Sequence, residues 1–301
     1  MIQTDVSASP AATRVMADGS PERVEFLGAE GERLLSYLHL PASSPRGAVV
    51  ICPALHGEFM RNYRREVLLA RKLAHIGFAV DRVQYRFSGN SDGEDSDLSF
   101  DSMREDALFS VERVRELAPG VPVFLAGTRW GAMIAAAAAR NHPDAGVVLW
   151  EPVLTGSQFF KDAFRNKAFR DLRDGIEQPA TSDELEERLR GGEPVDVVAH
   201  RIEVELYRSC IDRSLDTEMG DSHRNVLLTQ IGPSALRKPF ARQVERWQAA
   251  GIEVDVEIVR GEENWWLIQE RWSDEGTHPL TRALVALSAT WLSAHAGEVA
   301  S

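Results

Sequence analysis

Apolar and polar positions change their period along the chain, and the changes mark its elements. Arg23-Val24-Glu25-Phe26-Leu27 alternates, as a half-buried strand does, and Tyr37-Leu38-His39-Leu40 gives a second short strand. Gly31 between them predicts a hairpin turn. Gly47-Ala48-Val49-Val50-Ile51-Cys52 is continuously apolar up to Pro53, which suits a strand buried on both faces of a parallel sheet. Between Arg64 and Ile76 the apolar residues Val67, Leu68, Ala70, Leu73 and Ala74 fall at helical spacing, and Gly77 ends that run.

The same rhythm continues. Phe78 to Val83 is a strand, Ser99 to Leu117 an amphipathic helix, and Val121 to Ala126 another strand. After a turn at Gly127 to Gly131, the nearly pure alanine run Ala132 to Ala139 predicts a helix whose small side chains pack closely on a sheet. Val147 to Trp150, Asn225 to Ile231 and Val254 to Val259 complete the strands, with a helix from Pro239 to Ala250 between the last two. Pro279 to Ala294 is a closing helix, with Thr277 as its expected N-cap. Strands alternating with helices in this way specify an α/β fold with a mostly parallel, doubly wound sheet, whose strand C-termini and loops share one edge.

Residues 155–223 break the rhythm with helical and irregular material, including Phe159-Phe160, Phe164 and Phe169. An insertion of that length is expected to act as a helical lid, the alternative being a plain surface excursion. The expected organisation is a flexible tail over 1–22, a core over 23–154 and 224–301, and the lid over 155–223.

Composition narrows the partners. With 301 residues and 44% hydrophobic content the chain can bury a large core, and a net charge of -12 repels a nucleic acid backbone. Two cysteines, Cys52 and Cys210, form neither a disulfide framework nor a close metal-ligand pair, which suits a reducing compartment. No signal-peptide pattern opens the chain and no apolar run is long enough to span a bilayer, so a cytoplasmic location is expected. Neither a metal nor another cofactor is implied, and the expected partners are a small molecule and a protein docked on the lid.

The chemistry turns on Gly127-Thr128-Arg129-Trp130-Gly131, where a strand passes into a helix. A guanidinium stays protonated and has no lone pair free to attack a carbonyl. Three other stretches point the same way as this turn: Gln84-Tyr85-Arg86-Phe87-Ser88-Gly89-Asn90-Ser91-Asp92-Gly93, Leu149-Trp150-Glu151-Pro152-Val153-Leu154-Thr155-Gly156, and His56-Gly57. Together they resemble the α/β-hydrolase superfamily, in its serine aminopeptidase-like and exosortase-associated branches, over Gly47 to Leu292.

That resemblance implies a nucleophile, an acid and a histidine in chain order at successive strand ends. The elbow supplies Arg129 instead of serine. After Asn225 to Ile231 comes Gly232-Pro233-Ser234-Ala235-Leu236, with no carboxylate, and after Val254 to Val259 comes Gly261-Glu262-Glu263-Asn264-Trp265-Trp266, with no imidazole. The expectation is a hydrolase fold with its triad not retained, acting as a non-hydrolytic binder or accessory pseudoenzyme for an acyl-like or anionic ligand. The alternative is an enzyme on the same fold, either an esterase or thioesterase-like hydrolase or a lyase or cyclase using His56 in acid-base steps.

The candidate catalytic residues are His56, Glu263 and His278. Those expected at the pocket are His56, Gly57, Arg129, Trp130, Glu262, Glu263, Asn264 and Trp265. Arg129 itself has two readings: an anchor for an anionic ligand, or one half of a salt bridge to Glu262 or Glu263.

Overall fold

A computed structural model of the chain describes residues 12–198, 200–220, 224–232, 234–262, 264–268 and 276–297. The strands β1 (Ala12–Val15), β2 (Pro21–Leu27) and β3 (Leu34–His39) open the chain as an antiparallel meander. There follow β4 (Gly47–Cys52), α1 (Gly57–His75), β5 (Phe78–Val83), α2 (Phe100–Leu117), β6 (Val123–Thr128), α3 (Trp130–Ala139) and β7 (Gly146–Trp150). The excursion holds α4 (Gly156–Arg173), α5 (Ser182–Arg190), the hairpin of β8 (Val195–Val197) and β9 (His200–Ile202), α6 (Val204–Cys210) and α7 (Leu215–Met219). The core resumes with β10 (Asn225–Ile231), α8 (Lys238–Ala249), β11 (Glu253–Val259) and α9 (Pro279–His295).

One sheet of nine strands runs β1-β2-β3-β5-β4-β6-β7-β10-β11 and is parallel from β5 to β11. Alternation along its buried strands assigns each side chain to a layer. Val49 and Ile51 of β4 join Leu69 and Leu73 of α1 and Leu284 and Leu292 of α9 on one face. Ala48 and Val50 face the other way, into a core shared with α2, α3 and α8. The order reverses on either side of β4, so the loops leaving β4 and β6 diverge and open a crevice at their C-terminal ends.

Three sequence expectations are corrected here. Residues 12–15 pair with Pro21–Val24 as an edge strand, so the tail expected over 1–22 does not describe its second half; residues 1–11 lie outside the described residues. Both helices that follow the sheet's central strands begin earlier than their apolar periodicity does, α1 at Gly57 and α3 at Trp130, because each starts directly from a residue with positive φ, His56 and Arg129. The N-cap of α9 is His278 rather than Thr277, its ring accepting the Leu280 N–H at 3.3 Å. The excursion also contains the small β8–β9 sheet, which short strands of three residues do not announce.

Candidate functional site

The turn after β6 sets the geometry. Arg129 stands at φ 55°, ψ -112°, a region that costs a non-glycine residue about 1–3 kcal/mol and persists only where its surroundings enforce it. Here the enforcement is close packing of backbone. A Cβ on Gly127 would come within 2.3 Å of the Gly131 carbonyl, and one on Gly131 within 2.2 Å of the Cys52 carbonyl. The Arg129 N–H donates to the Trp150 carbonyl at 3.0 Å, tying the turn to β7.

The side chain at this apex is closed off. Arg129 is 6% exposed, its Nε donates to Glu58 Oε2 at 3.3 Å, and its guanidinium carbon lies 3.8 Å from the centre of the Trp266 ring. A cation at a helix N-terminus is disfavoured by the peptide dipoles, and the carboxylate and aromatic face offset that cost. Glu58 is well placed for this because it occupies the first turn of α1, where the dipole favours an anion. Burial pushes the Glu58 carboxyl upward, Arg129 pulls it back, and Asp162 raises it further, leaving it above the ordinary value.

Beside this plug lies a cavity of about 690 Å3, between the loop after β4, the helix α4 and the β8–β9 hairpin. Leu55, Phe159, Ala163, Val197 and Ile202 give it apolar walls, while His56, Glu58, Arg61, Asp162, Arg165, Asn166 and His200 supply the polar groups. Trp266 and Asn264 also line it. The His56 ring is centred 5.6 Å from that of His200, and its Nε2 is buried with no hydrogen-bond partner among the described residues. Burial first, and His200 second, lower the His56 pKa from 6.5 to about 3, so the imidazole is neutral at ordinary pH. Burial also lowers that of His200.

Several expected site residues find other places. His56, Gly57 and Asn264 line the cavity. Arg129 sits behind Glu58 and Trp266 instead of on the cavity wall, and its salt-bridge partner is Glu58 rather than Glu262, which is exposed. Trp130 is fully buried, its ring edge-on to Phe100 and 4.9 Å from that of Phe159, so it is core. Of the adjacent tryptophans it is Trp266 that faces the cavity, whereas Trp265 is buried with the Arg65 guanidinium over its ring. His278 is exposed and spent on capping α9, and Glu263 lies outside the described residues.

Phe159 is a lid aromatic that the sequence singles out, whereas Asp162, Ala163, Asn166 and His200 were not anticipated. Phe159, Asp162, Ala163 and Asn166 recur at i, i+3, i+4 and i+7, a helical stripe that the sequence displays plainly once the segment is read as one helix. His200 carries no such signal, because a three-residue strand places it. Glu151, directly after β7, is a buried carboxylate that accepts the Ile231 N–H at 2.6 Å and is also bonded by the Arg237 guanidinium. A carboxylate therefore stands at the end of β7, the strand beside β10, and is committed to a backbone amide and an arginine. Among the described residues, no group of three His, Cys, Asp or Glu side chains could hold a metal ion, and no helix is long and apolar enough to cross a membrane.

Comparison with known proteins agrees with this architecture. Residues 43–208, more than half of the chain, match the family described as serine aminopeptidase, S33. Monoglyceride lipase of Rattus norvegicus is 29% identical over 132 residues, 43% of this chain and 42% of its own, and that of Homo sapiens is 30% identical over the same shares. The match thus spans less than half the length of these curated relatives. Among solved structures, Est1E from Butyrivibrio proteoclasticus with bound ferulic acid superposes with a TM-score of 0.63 at 14% identity, over 89% of this chain and 99% of that one. A carboxyl esterase from Bacillus coagulans gives 0.57 at 13% identity over 97% and 100%. With its parallel sheet, its strained strand-to-helix elbow and this family match, the chain belongs to the α/β-hydrolases of the serine aminopeptidase S33 family.

Proposed function

We propose that this chain is a non-hydrolytic binder of an uncharged, acyl-bearing small molecule, with the triad of its family not retained and residues 155–223 serving as a lid over the ligand. The observation that carries this reading is Arg129 at the elbow apex, held by Glu58 and Trp266. The group that should attack a carbonyl is a cation without a free lone pair, and it is shielded from a cavity that stays open beside it. A cavity with apolar walls and a few convergent polar groups is the usual form of a small-molecule site.

The chemistry of the walls favours an acyl chain over an anion. Glu58 already neutralises Arg129, so the elbow offers little attraction to a carboxylate, and of the two arginines that line the cavity Arg165 meets Asp162 at 3.7 Å while Arg61 donates to the Leu267 carbonyl. A neutral His56 supplies one hydrogen-bonding nitrogen to a polar head group. The same low pKa counts against His56 as a general acid or base near neutrality, because an efficient proton-transfer group titrates close to the working pH. Two buried free thiols, Cys52 and Cys210, suit a reducing compartment such as the cytoplasm.

A second reading, ester hydrolysis without an enzyme nucleophile, is favoured by the names of the relatives, which are lipases and esterases. Titration with a fluorescent fatty-acyl probe, run beside a 4-nitrophenyl ester assay, separates the two. Saturable probe binding, weakened about tenfold when Ala163→Trp fills the cavity, with ester cleavage at background, is the expected result. Saturable cleavage that falls in both Glu58→Gln and His56→Asn would establish the hydrolase instead.

A further inference from the structure

The outer face of α4 has a composition that the cavity alone does not call for. Phe169 is 69% exposed, Leu172 56% and, just past the helix end, Ile176 48%. These are among the largest apolar exposures on the described surface; Phe169 and Leu172, three residues apart on the helix, share one side, and Ile176 follows just beyond the helix end. Lys161, Arg165 and Arg173 are exposed on that same side.

The charge of this helix is opposite in sign to that of the chain as a whole. α4 carries Lys161, Arg165, Lys167, Arg170 and Arg173 against Asp162 and Asp171, an excess of three positive charges in a protein of net charge -12. Arg165 and Arg173 meet Asp162 and Asp174 at 3.7 and 3.3 Å in exposed pairs, which are weak and readily exchanged for another anion. Basic and large apolar side chains sharing one face characterise helices that lie in a membrane interface.

The face is also continuous with the cavity, because Arg165 and Phe169 line its mouth. We propose that the outer face of α4, with Phe169, Leu172 and Ile176 inserted and Lys161, Arg165 and Arg173 at the headgroups, docks this protein on an anionic lipid surface. An amphiphile leaving the bilayer would then meet the cavity entrance directly. The docking argument rests on the exposed face and stands apart from the reading of the cavity.

Co-sedimentation of the full chain with vesicles of phosphatidylcholine alone, or with added phosphatidylglycerol, tests it. Binding is expected only with phosphatidylglycerol, weakened by high salt and reduced about tenfold in the Leu172→Glu/Ile176→Glu variant, neither residue of which lines the cavity. An unchanged far-UV circular dichroism spectrum and thermal midpoint show that variant folded, and fatty-acyl probe binding in solution, measured separately, distinguishes loss of docking from loss of the ligand site. No sedimentation with either vesicle, equal sedimentation of variant and wild type, or a concentration-dependent dimer abolished by the same two substitutions would each overturn the proposal.

Discussion

Arg129 and Glu58 are coupled more tightly than either is to the rest of the site. Replacing Arg129 by Met leaves a carboxylate buried without its cation, and breaking a buried pair from one side costs about 3 kcal/mol. The Arg129→Met/Glu58→Gln double variant removes both charges and is expected to recover most of that loss, measured by urea unfolding at neutral pH. Additive losses would mean that the two side chains are independent. His56 supplies a second residue-level prediction. In the unfolded chain its imidazole takes a proton near 6.5, whereas the folded protein keeps it neutral down to about 3. Protons therefore bind the unfolded chain first, so stability is full above 6.5 and is lost as pH falls toward 3. Wild type should lose stability relative to His56→Asn between pH 7 and pH 5; His39, lowered to about 4 chiefly by burial, titrates alike in both and cancels. A pH-independent difference would show that the His56 ring is not shielded. At this scale the sequence exposes Arg129 as anomalous but conceals its partner: Glu58 lies 71 positions away and reaches the elbow only through the fold.

Elements are legible where burial is uniform and obscure where it depends on a neighbour. Gly47–Cys52 is read from its apolar run without error because both faces of β4 are covered. The starts of α1 and α3 are misjudged because each is set by a strained backbone residue and not by periodicity. The two tryptophans after β11 are ambiguous for another reason: a short 3-10 turn at Trp265–Leu267 chooses which ring enters the core, and nothing in the adjacent letters makes that choice. The elbow itself gives the element-scale prediction. Gly131→Ala places a methyl carbon against the Cys52 and Pro53 carbonyls, which are main-chain atoms of the central strand and its exit, so relief requires moving β4 from α3. A loss of about 3 kcal/mol is expected in thermal or chemical unfolding. An unchanged midpoint would contradict the close approach of these two elements.

For the whole molecule, the strand and helix rhythm carries the sheet and the family, while the cavity belongs to contacts among segments far apart in the chain. Its walls come from the β4 exit, α4, the β8–β9 hairpin and the segment after β11, and each contributes side chains with innocuous roles when read alone. The plug of Arg129, Glu58 and Trp266 is likewise an assembly of three distant segments. Together they describe an α/β-hydrolase fold whose elbow keeps a strained backbone while the side chain at its apex, Arg129, is held by Glu58 and Trp266 beside the cavity. The most direct test is native mass spectrometry of the full chain incubated with a long-chain acyl ester. The account predicts a one-to-one complex with the intact ester and no free acid above the protein-free control. Free acid that accumulates over many turnovers, and falls away in Glu58→Gln, would contradict it.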